Sequence, residues 1–125
     1  MDFASFKSQL HAARSFEKEI AGACFKLLLP TEYACRVAIE SNLDGNGQVI
    51  GAKSSRQILD GALIGWEGVK ASHLLPDAGE ESIAFSAAAR AELLDCRLDI
   101  ADRLIVEISV RLEERRNRME AARKN

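Results

Sequence analysis

The thirteen-residue stretch Gln57-Ile58-Leu59-Asp60-Gly61-Ala62-Leu63-Ile64-Gly65-Trp66-Glu67-Gly68-Val69 holds the only tryptophan of the chain at the end of a burst of apolar residues. Leu59, Leu63 and Trp66 recur at i, i+4 and i+7, with Ile58 and Ala62 beside them, so the spacing predicts one apolar stripe on one helix. Ser54 and Ser55 offer that helix an N-cap, because a serine hydroxyl can accept from an unpaired amide of the first turn. Gly65 and Gly68 weaken the helix where they bracket the ring. A large aromatic closing an apolar burst reads as the central packing element. The competing reading, a ring that stacks on a ligand, ranks well below it, because aromatics carry so much of the area a core buries.

The rest of the chain is organised around this element. A helix is expected over residues 1–12, capped by Asp2, with Phe3, Phe6 and Leu10 turned inward. The period then alternates. Two runs, Phe16 to Ile20 and Cys24 to Leu29, flank Ala21-Gly22-Ala23, which predicts a β-hairpin over residues 15–29. Pro30 ends the strand and Thr31 caps a helix running to about Ser41. Residues 42–53 are a surface loop rich in Asn, Asp and Gly, and Lys70 to Ile83 is irregular. Ser86 caps a helix running through Cys96. Asp99-Ile100-Ala101-Asp102 resembles a capping box at the start of the final, long helix, whose stripe is Ala101, Leu104, Ile105, Ile108 and Leu112. Residues 30–112 thus form the helical part of the core and 113–125 a basic helical tail. The fold expected is α+β and predominantly helical: an N-terminal helix, one hairpin, then about four helices.

Composition narrows the function classes. At 125 residues, 47% hydrophobic and 29% charged, this is one globular domain with a core of its own. A net charge of -2 sets up no strong field for nucleic acid or an anionic membrane. Cys24, Cys35 and Cys96 are odd in number and show no C-x-x-C, so they read as reduced core residues. Met1 to Leu10 lacks the apolar run of a signal peptide, and no segment approaches a membrane span. A cytoplasmic protein is the expectation.

No reactive constellation emerges. The loop from Asn42 to Lys53 fits a calcium-binding EF-hand in part, with Asn42, Asp44 and Asn46 at the first, third and fifth ligand positions. Lys53 fails the twelfth, where a bidentate Glu must balance the ion's charge. His11 and His73 have no metal-ligand spacing, no glycine elbow surrounds a Ser or Cys, and Gly45-Asn46-Gly47 lacks the Lys of a phosphate loop. We expect no enzyme, no cofactor and no metal. The tail carries Arg111, Arg115, Arg116, Arg118, Arg123 and Lys124 against Glu113, Glu114 and Glu120. A solvated helix end explains it best; docking of a protein partner comes next, and nucleic acid third. If the tail docks a partner, Leu104, Ile108, Leu112, Arg115 and Arg116 are the residues expected to carry it, because the apolar stripe runs on into the tail.

Three segments read together add a resemblance. "FEKEIAGACFKLLLPTEY" (Phe16 to Tyr33), "ILDGALIGWEGVKASHLLP" (Ile58 to Pro76) and "IAFSAAARAELLD" (Ile83 to Asp95) resemble the small tail assembly chaperones of long-tailed bacteriophages. Those proteins share a K/R-L-x-x-P-T segment, a helix closing in G-W-x-G-V, and an F-S that opens a helix ending in L-L-D. The order and spacing of the pieces carry the likeness. It implies a non-enzymatic protein of the bacterial host cytoplasm that escorts the helical tape-measure protein while tail-tube subunits are recruited. It also implies that Trp66, Gly68, Val69, Phe85 and Ser86 are motif positions with a folding role. Self-association is expected from the long final helix. The two other readings are a nucleic-acid-binding adaptor using the basic tail and a calcium-binding module at Asp44.

Overall fold

In a computed structural model, which describes residues 1–124, nine elements follow one another. They are α1 (Phe3–Arg14), β1 (Ser15–Ile20), β2 (Ala23–Leu28), α2 (Glu32–Glu40), α3 (Gly51–Ala62), β3 (Leu63–Glu67), α4 (Ala71–Leu74), α5 (Ala87–Cys96) and α6 (Leu98–Lys124). The fold is α+β and predominantly helical, and its last helix, at 27 residues, is its longest. Asn125, the last residue of the expected basic tail, lies outside the described residues.

The hairpin forms where alternation predicts it. β1 pairs antiparallel with β2 from Ser15↔Leu28 to Ile20↔Ala23. Ala21 and Gly22 both have positive φ, 55° and 80°, the geometry that matches a two-residue turn to the twist of its strands. The hairpin is not alone against the helices, because β3 adds to the far side of β2 in the order β1-β2-β3.

β3 corrects the central expectation. The helix that should have carried Leu59, Leu63 and Trp66 on one stripe stops at Ala62, and Leu63 to Glu67 is a strand. All three side chains are buried nonetheless. The pairing runs Phe25↔Trp66, Lys26↔Gly65, Leu27↔Leu63, so Ile64 is the extra residue of a β-bulge. Adding one residue flips the alternation, and Leu63 and Trp66 then face the same side despite a spacing of three. Nor do Ser54 and Ser55 cap α3. It begins at Gly51 behind Ile50, and the Ser54 hydroxyl donates back to the carbonyls of Ile50 and Gly51 (3.4 and 3.1 Å).

One buried cluster unites the sheet with α3, α5 and α6. Phe25 and Leu27 of β2, Leu59 of α3, Leu63 and Trp66 of β3, Leu93 and Leu94 of α5 and Ile100, Leu104 and Ile108 of α6 all belong to it. Trp66 meets Phe25 and Phe85 edge-on, at 6.3 and 4.9 Å between ring centres, and its Nε1 donates to the Ile83 carbonyl at 2.9 Å. Both demands of a buried indole, apolar walls and a partner for its N–H, are met. The capping box expected at Asp99 does not form. Asp99 lies in the first turn of α6 and takes a two-pronged ion pair from Arg97 (3.0 and 2.9 Å). The Arg97 guanidinium holds the Asp99 carboxyl down at about 2.

Candidate docking surface

The five motif positions are structural. Trp66 and Val69 lie in the core. Gly68 has φ +80°, and a Cβ there would come within 3.3 Å of the Gly22 carbonyl, so the position closes β3 against the hairpin turn. Phe85 packs on Trp66 with the Arg90 guanidinium 5.8 Å from its ring centre. The Ser86 hydroxyl accepts from the Ala89 amide at 3.0 Å and caps α5.

The expected partner-binding residues divide. Leu104 and Ile108 are buried in the molecule's own core, and Leu112 is half-buried against it. The inner stripe of α6 therefore holds that helix to the body and is not free for a partner. The physical reason is that an apolar stripe at helical spacing signals a covered face without saying which chain covers it. Arg115 and Arg116, by contrast, reach the surface and line a cleft.

Free apolar surface lies elsewhere. α1 is well capped, with Asp2 accepting from the Ser5 amide at 2.8 Å, yet it has no buried residue. The inward face expected for Phe3, Phe6 and Leu10 does not exist: Phe3 is 70% exposed, Phe6 is 44% exposed and Leu10 is half-buried. The helix is anchored at its base. There Leu29 donates its amide to the Arg14 carbonyl (2.7 Å) and Arg14 Nε donates to the Leu29 carbonyl (2.8 Å).

Two hollows meet at that base, sharing Arg14, Pro30 and Thr31. One, of about 340 Å³, runs between α2 and α3 and is walled by Leu28, Pro30, Tyr33, Val37 and Ile58. The other, of about 190 Å³, lies against α6, with Leu29, Leu112 and Met119 as its apolar walls and Arg14, Arg115 and Arg116 as its charges against Glu32. Arg116 pairs with Glu113 at 3.1 Å, while Arg14 and Arg115 have no carboxylate at ion-pair distance among the described residues. The first hollow is an apolar trough and the second a basic cleft.

Other sequence candidates find structural roles. Asp44 Oδ1 accepts from the amides of Asn46 and Gln48 (2.8 and 2.9 Å), so the carboxylate holds a loop closed by the Leu43↔Val49 bridge. Among the described residues no three His, Cys, Asp or Glu side chains gather around a point that could hold a metal. His73, expected in a loop, sits on α4, where Nδ1 accepts from the Lys70 amide and Nε2 lies 2.8 Å from the Ala21 carbonyl. It ties α4 to the hairpin turn through contacts far apart in sequence, which no local pattern announces. The cysteines are free, but none is in the core. Cys24 and Cys35 are half-buried and Cys96 is exposed, and partial burial is the main cause that pushes the first two thiols up. No helix among the described residues is long and apolar enough to cross a membrane.

A comparison of the chain with family models, curated proteins and solved structures returns no match.

Proposed function

We propose that this protein is a non-enzymatic chaperone of phage tail assembly, which binds the tape-measure protein, the tail-tube protein or both in the host cytoplasm. The observation that carries the reading is α1: a capped helix of twelve residues with none buried, whose last residue, Arg14, lines an apolar trough. A folded chain that leaves Phe3 and Phe6 in water while completing its core without them presents a surface of the kind that marks protein interaction sites. The α1 face and the trough walled by Tyr33, Val37 and Ile58 together suit an amphipathic client helix, whose apolar residues at i, i+3, i+4 and i+7 would lie along them. The resemblance of the segments Phe16 to Tyr33, Ile58 to Pro76 and Ile83 to Asp95 to tail assembly chaperones is what suggests the client.

Co-expression tests this reading. A phage tape-measure protein co-expressed with this chain should become soluble and co-purify with it. A tape-measure protein that aggregates equally with and without the chain, and a tail-tube protein that ignores it, would overturn the assignment.

A further inference from the structure

The basic cleft and an acidic loop lie at opposite ends of α6. At one end, Arg14 and Arg115, neither with a carboxylate at ion-pair distance among the described residues, stand over the apolar walls Leu29, Leu112 and Met119. At the other, Leu75 to Glu81 forms an exposed loop bearing Asp77, Glu80 and Glu81, with Leu75 63% exposed at its start. The loop is held in shape by its own backbone. Ala71 donates to the Glu81 carbonyl (2.8 Å), Ser72 to Gly79 (2.9 Å) and Ala78 to Leu75 (2.9 Å), and Gly79 takes φ +90°. Lys70 neutralises Glu80, which leaves Asp77 and Glu81 without an ion partner among the described residues. Arg97 ties this end to the start of α6 by donating to the His73 carbonyl at 3.1 Å. From Leu98 to Arg115 the helix rises roughly 25 Å at about 1.5 Å per residue, so the loop cannot reach the cleft of its own chain.

We propose that the cleft takes the Leu75–Glu81 loop of a second copy of this chain, head to tail. The match is one of charge and shape. Leu75 supplies an apolar residue for the Leu29, Leu112 and Met119 walls, and Glu81 and Asp77 supply carboxylates for Arg115 and Arg14. Arginine–carboxylate pairing is charge-assisted and directional, and a loop already fixed in shape loses little freedom on docking. Glu32 and Glu113 temper the charge of the cleft, so the contact is weak and sensitive to salt. The two patches differ, which makes the contact heterologous: each copy keeps one unused loop and one unused cleft, and copies add in a row. Phe3 and Phe6 on α1 do not line the cleft, whereas the trough between α2 and α3 shares Arg14, Pro30 and Thr31 with it.

Sedimentation velocity on the full chain tests this, with melting curves to confirm that each variant is folded. The wild-type chain should self-associate more as concentration rises, and less as salt rises. Arg115→Ala and Glu81→Ala should each be monomeric alone. Mixed in equal amounts, they should form a dimer that grows no further, because the intact loop of the first fits the intact cleft of the second. A wild-type chain that stays monomeric at low salt, single variants that associate as the wild type does, or a mixture that stays monomeric would each overturn the proposal.

Discussion

At the scale of single residues, stability concentrates where a side chain meets several elements at once. Trp66 touches Phe25 of β2 and Phe85 ahead of α5, and donates to Ile83. Trp66→Ala should cost about 3–5 kcal/mol in urea unfolding, the range for removing a large buried aromatic. Gly68→Ala combines a left-handed backbone with a close approach to the Gly22 carbonyl, and about 1–2 kcal/mol is expected. Asp99 gives a prediction in pH. Its folded carboxyl titrates near 2 because Arg97 stabilises the charged form, against an ordinary value of 3.8. The depressed value means that the ion pair supports folding fully above about pH 4 and loses that support as pH falls through 2. In Arg97→Gln, NMR titration should find the Asp99 carboxyl back near its ordinary value. The burial of Trp66 and the Ser86 cap were legible from sequence, since a lone tryptophan in an apolar run and a serine before an alanine-rich segment are local signals. The His73 clamp was not legible, because its partners lie at Lys70 and Ala21, the latter more than fifty residues away.

At the scale of elements, α1 and α6 carry similar apolar periodicity and opposite fates. The inner stripe of α6 closes the core, and Leu104→Ala should cost about 2–5 kcal/mol. Its outer face carries Val110, and Val110→Ala should stay within about 0.5 kcal/mol of wild type in the same urea experiment. Equal losses at the two positions would refute the orientation of α6. Periodicity told that both helices have an apolar face, but not what lies opposite it, so Phe3 and Phe6 were expected inward and stand in solvent. β3 escaped detection for a different reason. The bulge at Ile64 places Leu63 and Trp66 on one side at a spacing that also fits a helix, and the pairing with β2 decides between the two. The hairpin was legible because its alternation and the Ala21-Gly22 turn agree over a few adjacent residues.

At the scale of the whole molecule, the core is complete without α1, and the hollows at the base of that helix remain open. The candidate site was therefore only half legible. Arg115 and Arg116 were identified from the charge of the tail, whereas the trough walled by Tyr33, Val37 and Ile58 exists only once α2 and α3 are packed side by side. The central claim is that α1 works for a partner and contributes little to folding. Binding of the tape-measure protein to Phe3→Ser/Phe6→Ser, measured together with the melting temperature, separates the two roles directly. Affinity is predicted to fall by roughly tenfold or more, which is about 1.4 kcal/mol, with melting unchanged within a few degrees. Undiminished binding, or a variant that no longer folds, would contradict the account.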